Sequence, residues 1–324
     1  MYVLGIDGGG TKTKGIIADE CGNVYAVAQV GATNQNGADL ESIEKEFESL
    51  FSSLENQNKD AFTNLHTIFA GIAGVDRPEA KEIIKAILGK LAPSQATIII
   101  DNDGVNALYS GTFGAPGIVQ ICGTGSITFG VNDQGERKRI GGWGYLIDDE
   151  GSSYELGREA LHAIFKAYDK RGPKTGLTEK IVQHFQITDP TDLVSIVYSA
   201  KHPRDLIAPL SKYVTEAVDK GDEVAKELIR GSGRRIASSI HHLYDQLFPF
   251  NEREVQVVLV GGLFTRSDLF IPIIETYLQE AFLPLKLVTP HIEPVGGAVA
   301  AGVAQAGGKL GVSFKNNINE IIVQ

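Results

Sequence analysis

The chain has 324 residues with 30 basic and 40 acidic side chains, a net charge of −10. At ~150 residues per domain that length predicts two domains, each large enough to bury its own core. The acidic balance disfavours a nucleic-acid-binding surface. No apolar run approaches the ~20 residues of a membrane helix. Cys21 and Cys122 are the only cysteines, which excludes a Cys-rich metal centre within one chain and a disulfide framework. The opening Met1–Asp7 has neither a basic region nor a cleavage site, so a cytoplasmic protein is expected. Glycine is abundant, at 37 residues, and it is clustered.

In chain order, Val3–Ile6, Gly15–Ala18 and Val24–Val30 are short apolar runs separated by turn residues, and they predict an antiparallel meander. Leu40, Ile43, Phe47, Leu50, Phe51 and Leu54 repeat at helical spacing. Thr67–Ala73 predicts a strand, Glu79–Leu91 a helix after Pro78, and Thr97–Ile100 a buried strand. After Pro116 the opening pattern returns: Gly117–Ile121, a Gly-rich turn, then Ile127–Val131. This is a weak internal repeat of strand, glycine turn with Thr or Ser, strand. A helical stretch over 152–247 follows, then strands Val255–Val260 and Leu285–Val288 and a small-residue helix Gly296–Ala306. The cluster Gly111, Gly114, Pro116 and Gly117 marks the domain boundary. The domains are set at 1–112 and 113–324, with Asn316–Gln324 free to pack back on the first.

Five motifs carry chemistry. Asp7-Gly8-Gly9-Gly10-Thr11-Lys12-Thr13 lies between two strands. Its glycines allow close approach and positive φ, its amides can form an anion-binding concavity, and Lys12 can neutralise phosphate charge. Asp7, at a strand end, suits Mg²⁺ held through water. The spacing is neither GxxxxGK[ST] nor GxGxxG. Gly123-Thr124-Gly125-Ser126 occupies the equivalent turn of the second repeat. Two such turns suit a polyphosphate. Asp101-Asn102-Asp103-Gly104 follows a buried strand, where a carboxylate meets the ligand crevice of α/β folds. Asp103 also stands where it could cap a helix over Val105–Tyr109, and Asp101 reads as a turn residue. The stretch 141–155 wraps glycines around the sole tryptophan, Trp143, then presents Asp148, Asp149 and Glu150. Ser152 and Glu155 fit a capping box. Gly261-Gly262 closes a strand and would let a flat ring lie on the backbone. His241-His242 reads as helix surface, His291 and Glu293 have no supporting pattern, and no G-x-S-x-G elbow is present.

Taken in order, Asp7-Gly-Gly-Gly-Thr11, Asp103, Gly123-Thr-Gly-Ser126, the 141–152 stretch and Gly261-Gly262 resemble the actin/hexokinase/heat-shock-chaperone ATPase superfamily. Within it they look most like the N-acetylglucosamine kinases of the group that includes BadF/BadG-type ATPases. The resemblance implies two ribonuclease-H-like α/β domains flanking a cleft for ATP and a sugar. It implies Asp103 as the catalytic aspartate and Asp7 as organiser of Mg²⁺. Gly8, Gly9, Gly10, Thr11 and Lys12, with Gly123, Thr124, Gly125 and Ser126, would hold phosphates, and Gly261 and Gly262 would lie by the adenosine. Asn34, Asp103, Gly142, Asp149 and Ser153 match sugar-binding positions. Ala73 departs from the mammalian pattern, which has Ser there. A homodimer, no membrane and no nucleic-acid partner are the corresponding expectations.

The reading is thus an ATP:sugar phosphotransferase acting on the 6-hydroxyl of an amino sugar. N-acetylglucosamine comes first, with N-acetylmuramic acid or glucosamine as alternatives. A reading of another class is a BadF-type ATPase that activates a reductase or dehydratase through a shared iron–sulfur cluster. It would need Cys21 and Cys122 to meet. A third is a sugar sensor without turnover, against which intact Asp7, Asp103 and both turns argue.

Overall fold

The structure, a computed structural model, describes residues 1–9, 12–34, 39–75, 77–249 and 253–319. The chain divides into two compact units: Met1–Gly117 with Thr289–Gln324, and Ile118–Val288. The break falls in the predicted Gly/Pro cluster. The reading of 113–324 as one domain is corrected, because the described residues from Thr289 onward fold with the first unit.

The first unit begins with strands β1 (Tyr2–Gly8), β2 (Thr13–Asp19) and β3 (Val24–Val30). They pair antiparallel, as the meander predicted. Helices α1 (Leu40–Gln57) and α2 (Lys59–Thr63) lead to β4 (Leu65–Ile72), and α3 (Pro78–Leu91) leads to β5 (Thr97–Asn102). Both β4 and β5 join in parallel, which requires such helical crossovers. The sheet order is β3-β2-β1-β4-β5. Helix α4 (Asp103–Thr112) follows β5 directly.

The second unit repeats this plan more fully than the sequence suggested. Its strands are β6 (Gly117–Cys122), β7 (Ser126–Val131), β8 (Arg137–Gly141), β9 (Val255–Val260) and β10 (Leu285–Val288). Their order, β10-β9-β6-β7-β8, matches the first sheet strand for strand. Between β8 and β9 lie α5 (Ser153–Tyr168), α6 (Leu177–His184), α7 (Asp192–Ser199), α8 (Pro203–Ile207), α9 (Ser211–Asp219) and α10 (Glu223–Leu247). Helix α11 (Ser267–Glu280) connects β9 to β10. Leu156, Ile164, Ile229, Ile236, Ile240, Val257 and Phe270 bury one core between these helices and the sheet.

Period-two alternation gives the first sheet two buried faces. Leu4, Ile6 and Ile17 point to α1 and α3, meeting Phe47, Leu50, Ile84 and Leu88. Val3, Ile16 and Ala18 point the other way. That second face is covered by α12 (Pro294–Gln305) and α13 (Val312–Asn319), through Val299, Val303, Phe314 and Ile318. This is the physical reason the C-terminal segment belongs here. A Cβ on Gly5 would stand 2.5 Å from the Val299 nitrogen, so α12 lies flush on β1. Replacing Ile318, fully buried in this core, by Val should cost about 0.5–1.5 kcal/mol. A urea midpoint measures it, and an unchanged midpoint would remove α13 from the core. Among the described residues no helix is long and apolar enough to cross a membrane.

Candidate functional site

The first unit gathers its candidate residues at one sheet edge. Gly8 of β1, Ile72 of β4 and Asn102 of β5 lie in one register row at the C-terminal ends of parallel strands. The loops after them therefore emerge together, which is where α/β sheets bind ligands. After β1 comes the Gly9–Lys12 turn, where the Gly9 N–H donates to the Lys12 carbonyl at 3.0 Å. Gly10 and Thr11 lie outside the described residues. Gly8 and Gly9 do not have positive φ, contrary to the flexibility expected of them. Gly8 is needed for packing instead: a Cβ there would meet the Ile72 side chain at 2.4 Å and the Thr33 hydroxyl at 2.7 Å. Lys12 is exposed. Thr33 is buried and shares a hydrogen bond with Thr13 at 2.8 Å, and Asn34 follows it directly.

Asp103 is the first residue of α4, half-buried, one position inside the helix. The cap is Asn102, whose side chain accepts from the Gly104 N–H at 2.7 Å. So Asp103 is not required to cap. Asn102→Ala should cost about 1 kcal/mol of stability, whereas Asp103→Asn should stay within about 1 kcal/mol. Thermal unfolding of the two variants separates them, and the reverse ranking would return Asp103 to a capping role. Asp101 is no turn residue. It is the penultimate residue of β5, with its carboxylate buried, accepting from the Asn102 N–H and lying 3.4 Å from Lys81 Nζ.

One turn after Asp103, the sequence reading missed Asn106. Its buried amide donates to Asp7 Oδ1 at 2.8 Å, to the Ile6 carbonyl at 3.2 Å and to the Gly71 carbonyl at 3.1 Å. Gly71 makes room for it, since a Cβ there would stand 2.2 Å from Asn106 Oδ1. One helix thus carries Asp103 and fixes Asp7. Burial raises the Asp7 pKa above its ordinary value. The Asn106 amide and the Lys12 charge oppose this, and Glu293 adds to it. Glu293, set aside in the sequence, accepts from Lys14 Nζ at 2.6 Å. No group of three or more His, Cys, Asp or Glu side chains suited to a metal exists among the described residues.

The second unit has an equivalent edge. Ile121 of β6 pairs with Val260 of β9, so the Gly123–Ser126 turn and Gly261-Gly262 emerge side by side. Gly261 has φ 113° and ψ 166°, and a Cβ there would be 2.3 Å from the Cys122 carbonyl oxygen. Its role is this backbone approach. A Cβ on Gly262 would meet nothing within 4 Å. Gly262 lines a cavity of about 460 Å³ with Ser153, Ser211, Lys212, Thr215 and Thr265. The Gly123 and Thr124 carbonyls accept from the Ser153 and Tyr154 N–H groups, tying the turn to the start of α5. Ser126 is turned inward, its hydroxyl accepting from Gln120 Nε2 at 3.0 Å.

The 141–151 loop is held in unusual backbone geometry. Gly141, Gly142, Gly144 and Gly151 have positive φ, and so does Asp149, at 65°. Gly142 packs on Ile127. Asp149 is buried. Burial raises its pKa, opposed by the Arg204 charge and by N–H donors of Gly144 and Ser126. The expected capping box forms with a shift. Ser152 accepts from the Glu155 N–H at 3.0 Å, but Glu155 reaches back to the Gly151 N–H, at 2.6 Å. Arg235 holds Glu155 from α10 at 3.0 Å. Arg235→Met should therefore cost about 1–3 kcal/mol by leaving a mostly buried carboxylate one partner short. Urea denaturation reads this, and an unchanged midpoint would mean the Gly151 contact alone suffices.

Cys21 is exposed in the first unit and Cys122 buried in the second. Burial pushes the Cys122 thiol up to about 12, so it is no ready thiolate ligand. His242 is exposed as expected, but His241 is partly buried, with Nδ1 shut in and unpartnered.

The sequence profile described as "BadF/BadG/BcrA/BcrD ATPase family" matches residues 4–302. The chain is 32% identical over 298 residues to the N-acetylmuramic acid/N-acetylglucosamine kinase of Clostridium acetobutylicum, covering 92% of this chain and 97% of the relative. It is 31% identical over 305 residues to the N-acetyl-D-glucosamine kinase of Dictyostelium discoideum, covering 91% and 95%. Among solved structures, a candidate N-acetylglucosamine kinase from Chromobacterium violaceum superposes with a TM-score of 0.67. It is 26% identical, with 92% and 97% of the chains covered.

Proposed function

Since the chain belongs to the BadF/BadG/BcrA/BcrD ATPase family, we propose that it is an ATP-dependent kinase that phosphorylates the 6-hydroxyl of an amino sugar, N-acetylglucosamine first. The observation that carries this reading is the α4 arrangement. Asp103 stands at a strand's C-terminal edge, and one turn later Asn106 anchors Asp7. A base on one helix, with the metal-organising carboxylate of β1 fixed by the same helix, supplies the positioning and charge control that phosphoryl transfer to a hydroxyl depends on. The names of the relatives support the amino-sugar class.

In this reading Asp103 accepts the proton of the sugar hydroxyl as its oxygen attacks the γ-phosphorus. The bond to the β–γ bridging oxygen breaks, and ADP leaves. Asn34, Gly142 and Asp149 bind the sugar. Gly8 to Lys12 and Gly123 to Ser126 hold phosphates. The N–H groups of Gly123 and Ser126 are engaged by the Gly125 carbonyl and by Asp149, which leaves Thr124 and Gly125 as donors. The open space at Gly262 suits the adenosine, and Ser153, sharing that cavity, moves from the sugar side to the nucleotide side. A single carboxylate without a ligand cage fits Mg²⁺, which keeps most of its waters. Asp7 would hold it through water, with Asn106 fixing the carboxylate. The ion supplies charge neutralisation at the phosphates. A cytoplasmic homodimer completes the reading.

A coupled ADP-release assay with Mg²⁺-ATP tests it across N-acetylglucosamine, glucosamine, N-acetylmannosamine, N-acetylmuramic acid, glucose and no sugar. ADP release dependent on an amino sugar is the expected result. Sugar-independent hydrolysis, or none with any sugar, would overturn it.

A further inference from the structure

Arg204, on α8, lies 55 residues from Asp149, the loop residue it touches, and no motif marks it. Its Nη2 is 3.4 Å from Asp149 Oδ2. Its Nε is buried without a hydrogen-bond partner. Its guanidinium carbon is 5.6 Å from the centre of the Tyr145 ring, in the same loop as Asp149. The β6–β7 turn is shaped around the pair: a Cβ on Gly125 would stand 2.5 Å from Arg204 Nη2 and 2.6 Å from Asp149 Oδ2. Three chain segments thus converge on one carboxylate, itself held in left-handed backbone. Such strain persists only where the surroundings enforce it.

We propose that Arg204 is a positioning residue for sugar recognition: it fixes Asp149 as a hydrogen-bond acceptor for the sugar hydroxyls, so that losing it weakens sugar binding most at acid pH. This rests on the assignment of Asp149 to the sugar. The charged groups acting on Asp149 are Arg204 from α8 and Asp148 from its own loop. The β6–β7 turn contributes the Ser126 N–H and the loop the Gly144 N–H. Burial and Asp148 favour the protonated acid, and Arg204 opposes both. Without Arg204 the folded-state pKa rises further. Asp149 is then protonated at a higher pH, and an acceptor is lost as pH falls.

The experiment titrates wild type, Arg204→Gln and Arg204→Lys with N-acetylglucosamine, following fluorescence of Trp143, the sole tryptophan, exposed in the same loop. Dissociation constants are taken at about pH 5.5 and about pH 8. Binding of a non-hydrolysable ATP analogue by calorimetry checks that each variant is folded. For Arg204→Gln we expect sugar binding about tenfold weaker or more at the lower pH and a clearly smaller loss at the higher pH. Arg204→Lys should restore most of it. An equal loss at both pH values, no loss, or no rescue by lysine would overturn the proposal. Wild type that neither binds nor phosphorylates an amino sugar would remove the kinase reading and this inference with it. Wild type that does both while the variants titrate alike removes only the inference.

Discussion

Replacing Asp103 by Asn should lower kcat by about 10²–10⁴-fold while leaving sugar affinity within about tenfold, since general-base action acts on the step and not on the encounter. The substitution keeps the size and one acceptor oxygen but turns the other into an amide donor and removes the proton acceptor. Its structural side effects are bounded. The α4 cap belongs to Asn102, so the helix keeps its first turn. If Asp103 served only the helix dipole, the variant would lose about 0.3–1 kcal/mol of stability and keep its turnover. Steady-state rates paired with a direct sugar titration separate the two roles. Wild-type kcat in the variant would end the assignment of Asp103 as base.

Gly261→Ala should destabilise the protein by roughly 2–6 kcal/mol, combining backbone strain of about 1–3 kcal/mol with overpacking of similar size. Its φ of 113° and ψ of 166° belong to a region that is essentially glycine's alone. The added Cβ would also stand 2.3 Å from the Cys122 carbonyl oxygen, which is backbone and cannot rotate away. Cys122 ends β6, where the Gly123–Ser126 turn begins, so surviving folded protein should also show a raised KM for ATP. Gly262→Ala is the control. A Cβ there meets nothing within 4 Å, and its stability should stay within about 0.5 kcal/mol of wild type. If the adenosine lies against it, its KM for ATP rises nonetheless. Urea midpoints at constant slope measure both variants. Equal stabilities would show that the strand end relaxes around a methyl group.

The backbone plan was largely legible because its signals are local. The runs Val3–Ile6 and Gly117–Ile121, each ending in a glycine turn, announced two related sheets. Strand β8 was not legible, because Arg137-Lys138-Arg139 reads as a solvated charge run, yet it pairs antiparallel with β7. Nor was the return of the C-terminal segment. Helix α12 is buried on nearly every side, so it shows no polar face to say which unit it joins. The site followed the same rule. Asp7, Gly123–Ser126 and Asp149 stand in dense polar or glycine-rich stretches. Asn106, Arg204 and Glu293 act through contacts made across the fold, 99, 55 and 279 residues from their partners, and a single polar side chain in a helix or loop carries no such signal. The one hint was spacing: Asn106 follows Asp103 by three positions, which puts both on one helical face.

In the proposed reaction the γ-phosphoryl group of ATP ends on the 6-oxygen of an amino sugar. Phosphorus–proton correlated NMR of the reaction with N-acetylglucosamine tests it most directly. One new phosphomonoester coupled to the two C6 protons, formed in step with ADP, is the expected result. Inorganic phosphate as the only new phosphorus species, or a phosphate coupled to the C1 proton, would contradict it.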